Sequence, residues 1–217
     1  SYGSVVGNLL TTVQWAKSGL SRPGCWAYPD GLEVGCKAGP GGSSDPGLSL
    51  AEARSHFGAW CIVSSPLVLS LDVNDDSVMD KVWPIISNKE AIAVNQVWAG
   101  HSGSPFQQAP REVKLHDFQH AVAGEVVPHV GAVPSWQHFY KPLGGGRVAV
   151  LIMNHDSHRQ NLTLDFADVP EACSTCHVRD VWVHKDLGEM DHVSVELEPH
   201  DSAFLVLSQA RSLEVLV

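Results

Sequence analysis

The sequence predicts an α/β segment followed by an antiparallel β-sandwich, and three observations carry that prediction. Helical and strand patterns alternate from Ser4 to Trp98. Strand patterns punctuated by turn signals dominate from about Trp136 to Leu207. The stretch between them, near His101 to Pro134, is rich in Gly, Pro and His and reads as a connection with some strand. The chain has 217 residues, 44% of them hydrophobic, enough for one large core or two modest ones. Only 18% are charged, which sets it apart from disordered chains.

Val5, Val6, Leu9, Leu10 and Val13 recur at helical spacing, so a helix opens the chain and ends near Gly19. Gly24 to Tyr28 reads as strand into loop, and a Gly/Pro/Ser loop reaches Asp45. Ser49 and Glu52 form a capping box that starts a second helix, with Ala53, Phe57, Trp60 and Cys61 on its buried face. Pro66 ends that stretch. Leu67 to Leu71 is a short apolar run of the kind found in buried parallel strands. A third helix from about Ser77 is kinked or ended by Pro84, and Ser87 with Glu90 forms a second capping box. In the second half, Gly144-Gly145-Gly146 turns one strand into the run Val148 to Met153. Leu162, Leu164 and Phe166 alternate with polar residues, as do Val193, Val195 and Leu197, and Ala203 to Leu207 is a continuous apolar strand.

Composition excludes several functions. The net charge is -10, from 14 Lys and Arg against 24 Asp and Glu. An acidic chain with no Lys/Arg run is a poor partner for nucleic acid, where phosphate contacts dominate affinity. No apolar stretch reaches the roughly 20 residues of a membrane-spanning helix. The opening residues lack a signal-peptide pattern and the first is not Met, so a mature, trimmed or partial chain is expected. Of the five cysteines, Cys25 and Cys36 bracket a loop and are expected to form a disulfide. Cys173 and Cys176 read as a short-loop disulfide or two free thiols, and Cys61 as a buried thiol. With the glycosylation sequon at Asn161, they point to an oxidising compartment, either secreted or lysosomal/vacuolar.

Rival motifs are weak. Cys173-Ser174-Thr175-Cys176-His177 has the form of a haem attachment site but sits between predicted strands. His116 and His120 have helical ligand spacing in a neighbourhood that looks extended, without a third ligand nearby. There is no Lys-Ser/Thr after the glycine turn and no G-x-S-x-G nucleophile elbow. No cofactor and no metal are expected.

The run Trp26-Ala27-Tyr28-Pro29-Asp30-Gly31-Leu32-Glu33-Val34-Gly35 resembles the W-x-D-P-D-M-L-E-V-G stretch of family 27 glycoside hydrolases, the α-galactosidases. Glu52 to Cys61, Ser65 to Val73 and Asn88 to Gln96 follow in the family's order, and Gly146 to Leu151 with Val178 to Gly188 resemble its C-terminal sandwich. The resemblance implies residues 1–103 as the last units of a (β/α)8 barrel, 104–209 as a β-sandwich and 210–217 as a tail. A whole barrel takes about 250 residues, and two parallel strands cannot close one. The remainder of the barrel is therefore expected from an upstream or separate chain.

The resemblance further implies a retaining hydrolase of terminal α-galactosides, which needs two carboxylates about 5 Å apart. In the family both follow earlier strands, so no catalytic residue is expected in this chain. Asp30 matches the second Asp of the D-P-D motif and is expected to bind sugar, as are Gly31 and Trp26. Trp26 has a barrel-core reading and Asp72 a loop-capping one. Tyr28 replaces the motif's first Asp, and Gly31 its Met. Those departures leave a second hypothesis, a non-catalytic scaffold or carbohydrate-binding subunit. A homo-oligomer is possible in either case.

Overall fold

The computed structural model describes residues 1–38, 47–115, 120–122, 125–127 and 131–209. Four helices come first: α1 Tyr2–Lys17, α2 Leu50–Ile62, α3 Asp76–Ile86 and α4 Lys89–Gln96. Twelve strands follow: β1 Ser104–Gln108, β2 Glu112–Lys114, β3 His120–Val122, β4 Glu125–Val127, β5 Ala132–Pro134, β6 Trp136–Gly144, β7 Arg147–Asn154, β8 Gln160–Asp165, β9 Cys176–Asp180, β10 Lys185–Met190, β11 His192–Leu197 and β12 Ser202–Gln209.

Helix starts follow their capping chemistry. The Ser49 hydroxyl accepts from the Glu52 amide while Glu52 accepts from the Ser49 amide, the reciprocal pair expected at α2. Asp75 caps α3 by accepting from the amides of Ser77 and Val78. At α4 the cap is Asn88 rather than Ser87. Its carbonyl oxygen accepts from Glu90 and Ala91, and its amide donates to the Val181 carbonyl 2.9 Å away in the sandwich. Ser87 instead caps the end of α3, three residues past Pro84, which the helix accommodates.

A six-stranded antiparallel sheet runs in the order β1-β6-β7-β12-β9-β10, faced by the pair β11-β8. The two glycines of the β6–β7 turn, Gly145 and Gly146, have φ of 60° and 69°, where a side chain would be strained. Alternation along β7 and β12 divides the cores. Val148, Val150 and Ile152, with Ala203, Leu205 and Leu207, pack toward β8 and β11. Ala149, Leu151 and Met153, with Phe204, pack against the helices. The central strands are thus buried on both faces, which is why Ala203 to Leu207 is apolar throughout. Helix α2 lies on this sheet: a Cβ at Gly58 would stand 2.8 Å from Leu151 Cδ1.

The expected parallel strands are reduced to one bridge, Leu32 with Leu69. The Leu32 amide donates to the Val68 carbonyl at 2.8 Å, and the Ser70 amide to the Leu32 carbonyl at 3.2 Å. The run Leu67 to Leu71 is not buried as predicted, for Val68 is 50% and Leu69 41% exposed. A parallel strand needs neighbours on its edges and cover on both faces, and here each of the two segments has one partner.

The predicted Cys25–Cys36 disulfide is absent, and both thiols are free. The chain between them runs through Leu32, which pairs with Leu69, and the two thiols line different clefts, Cys25 beside α1 and Cys36 beside α3. Cys25 sits in a tight turn bridged to Arg22, while the Cys36 thiol donates to the Ser70 carbonyl. The bridge that forms is Cys173–Cys176, with Cα atoms 5.5 Å apart.

Candidate functional site

Asp30 stands two residues before the parallel bridge of Leu32 with Leu69. Its backbone is fixed from two sides. The indole N–H of Trp60 on α2 donates to its carbonyl at 2.9 Å, and its own Oδ1 accepts from the Gly31 amide at 2.7 Å. Its φ is 111°, a region that non-glycine residues rarely occupy and that clusters at functional sites. The carboxylate is exposed, with its second oxygen open to a ligand. Behind Trp60, the His56 ring is packed edge-on at 4.1 Å, and burial holds its pKa down to about 3. A neutral imidazole thus backs the indole that anchors Asp30.

Gly31 faces Ser70 and Tyr28. A Cβ here would stand 2.5 Å from Ser70 Oγ and 3.6 Å from the Tyr28 hydroxyl. The room that a larger side chain would fill is taken by these two hydroxyl groups. Tyr28 is exposed, and with Trp26, Trp15 and Pro29 it lines a cleft of about 420 Å3 against α1. Trp26 is 37% exposed and meets Trp98 edge-on at 5.5 Å, so it is neither a core residue nor placed with Asp30, which is not among that cleft's lining. Asp72 keeps a local role, accepting from the Asn74 amide at 3.0 Å. Asn161 is exposed on β8. His116 lies outside the described residues, as does the side chain of His120. Among the described residues no three His, Cys, Asp or Glu converge as metal ligands.

Sequence reasoning missed the Trp60 contact and the Ser70 approach. Trp60 was legible as a core residue, but a buried indole N–H also needs an acceptor, and that signal was available. Ser70 follows the bridged Leu69, 40 residues from Asp30, and carries no motif of its own.

Two family models match the chain in order. Residues 6–97 match the α-galactosidase A model, and residues 134–207 match the model of the α-galactosidase C-terminal β-sandwich domain. The chain belongs to the α-galactosidase (melibiase) family. An α-galactosidase of Oryza sativa subsp. japonica is 30% identical over 209 residues, 96% of this chain and 41% of the rice protein. A probable α-galactosidase B of Aspergillus fumigatus is 32% identical over 199 residues, 85% of this chain and 41% of its own. The fold agrees with α-galactosidase I from Mortierella vinacea, with a TM-score of 0.67 and 22% identity over 96% of this chain and 44% of that one. It also agrees with a family 27 β-L-arabinopyranosidase from Geobacillus stearothermophilus, with a TM-score of 0.73 and 20% identity over 97% and 43%. The chain spans about 36–41% of the length of the curated relatives it matches. Its architecture is the end of a (β/α)8 barrel followed by a C-terminal β-sandwich.

Proposed function

We propose that this chain contributes the last two barrel strands and the sandwich of a retaining α-galactosidase, with the two catalytic carboxylates supplied by barrel segments outside it. Within this reading residues 1–103 belong to the barrel, 104–209 to the sandwich and 210–217 to a tail. Asp30 accepts hydrogen bonds from sugar hydroxyls and Gly31 floors the pocket, while Trp26 lines the separate cleft against α1. The observation that carries the reading is Asp30 itself: a strained, exposed carboxylate, anchored by Trp60 and two residues from the Leu32–Leu69 parallel bridge. A secreted or vacuolar setting fits the Cys173–Cys176 disulfide and the exposed Asn161. Among the described residues no helix is long and apolar enough to cross a membrane.

The substrate class is a terminal α-galactoside, and the test is hydrolysis of a nitrophenyl α-galactoside by the complete barrel. Asp30→Ala lowers kcat/KM by about 100-fold or more, the scale of losing a charge-assisted hydrogen bond or two in a closed site, while circular dichroism is unchanged. Unaltered turnover removes Asp30 from the pocket. The chain alone, without the catalytic pair, shows no turnover.

One observation favours a second reading. Ser70 and Tyr28 crowd the space at Gly31, which suits a non-catalytic, sugar-binding relative equally well. Intact carboxylates in the segments outside this chain support the hydrolase, and their replacement supports the binding protein.

A further inference from the structure

A cleft of about 610 Å3 lies where α2 and α3 meet the sandwich, away from Asp30. Pro84 and Ile85 of α3 form one wall, and Trp182, Val183 and Leu197 of the sandwich the other. Arg54, Lys81, Asp180, Glu196 and Asp201 also line it, two cations against three carboxylates. Most of these charges are already held in place. Arg54 forms a fork with Asp201 at 2.6 and 3.1 Å, and Asp180 accepts from the Trp182 and Val183 amides. Glu196 pairs with Arg159 at 2.6 Å.

Such a cleft has an apolar body, an indole, and fixed planar acceptors and donors with almost no net charge. An anion meets the excess of carboxylates and a purely apolar ligand leaves them unused, whereas a pyranose ring offers C–H faces to the indole and hydroxyls to the charged groups. Among the described residues, two donors on the lining lack partners: the Ser202 hydroxyl and the Trp182 indole N–H. Both atoms are shielded from solvent, and buried polar groups are nearly always satisfied.

We propose that this cleft is a non-catalytic saccharide site that takes a neutral pyranoside, distinct from the barrel mouth. It goes beyond the hydrolase reading and stands or falls without it, since no reaction is involved. The test is titration calorimetry of this chain with methyl α-galactoside and with raffinose. Millimolar binding is expected for the wild type, at least tenfold weaker binding for Trp182→Ala, partial retention for Trp182→Phe, and a several-fold loss for Lys81→Ala. Lys81 is exposed and forms part of no core, so its variant keeps the test valid should Trp182→Ala fail to fold. Asp30→Ala binds as the wild type does. No binding of either sugar, binding indifferent to both Trp182 and Lys81, or binding lost in Asp30→Ala each overturns the proposal. The last of these supports the barrel-mouth reading instead.

Discussion

At the scale of single residues, Asp30 pays with backbone strain for its position. A left-handed φ costs a non-glycine residue about 1–3 kcal/mol. Asp30→Gly therefore leaves the thermal midpoint unchanged or raises it, although the same substitution removes the sugar-binding carboxylate. Calorimetry of the variant beside its activity in the complete barrel separates the two effects, and a clear fall in Tm refutes the strain. Lys141 makes a second prediction. Its ammonium is fully buried and donates to the Val94 and Asn95 carbonyls at 2.6 and 2.9 Å, where α4 ends. Burial pushes its pKa down to about 8. A depressed lysine binds fewer protons folded than unfolded between about pH 8 and 10.5, so its contribution to stability rises with pH across that window. The full span is on the order of 3 kcal/mol. The Tm difference between wild type and Lys141→Met should move in favour of the wild type from pH 7.5 to pH 10. A constant difference excludes the linkage.

At the scale of elements, what was legible depended on whether the signal was local. The box of Ser49 and Glu52 is a local reciprocal pair, and it formed as read. Ser49→Ala removes one of its hydrogen bonds, which costs about 1 kcal/mol. In a domain of this size that lowers Tm by about 2–4 °C in a thermal melt. The neighbouring box was misplaced by one residue because Ser87 and Asn88 are both good caps, and a contact 93 residues away, Asn88 with the Val181 carbonyl, selects Asn88. Alternation correctly located β8 and β11, and the continuous apolar run Ala203 to Leu207 located β12. The cysteine pairing failed for the opposite reason. Loop placement says where thiols sit along the chain, while the fold decides which cleft each one faces, and Cys25 and Cys36 face different ones. The same limit applies to the candidate site. The motif exposed Asp30 and Gly31, but the Trp60 that holds Asp30 and the Ser70 that crowds Gly31 come from segments far along the chain.

At the scale of the molecule, the helical part and the sandwich share a core. Val5, Phe57 and Trp60 from the helices join Phe139, Leu151 and Phe204 from the sheet in one buried cluster. Polar links cross the same junction. Tyr2 bonds to His155 at 2.9 Å and stacks on His200, which pairs with Glu52 at 2.8 Å. Arg179 of β9 forks onto Glu90 of α4 at 2.7 and 3.0 Å. Burying a Phe or Leu side chain contributes about 1.5–3 kcal/mol, so separating the parts exposes more apolar surface than either can spare. Two independent transitions are therefore not expected. The chain should unfold in one, with calorimetric and van't Hoff enthalpies that agree, and residues 104–209 expressed alone should melt lower or aggregate through the uncovered face of the six-stranded sheet. Replacing Phe204 and Leu151 with polar residues in that excised piece should restore solubility, because only the helix-facing side of β7 and β12 is bare. An excised sandwich that melts as high as the whole chain shows the junction to be a contact between finished domains, and the shared core would then carry no stability.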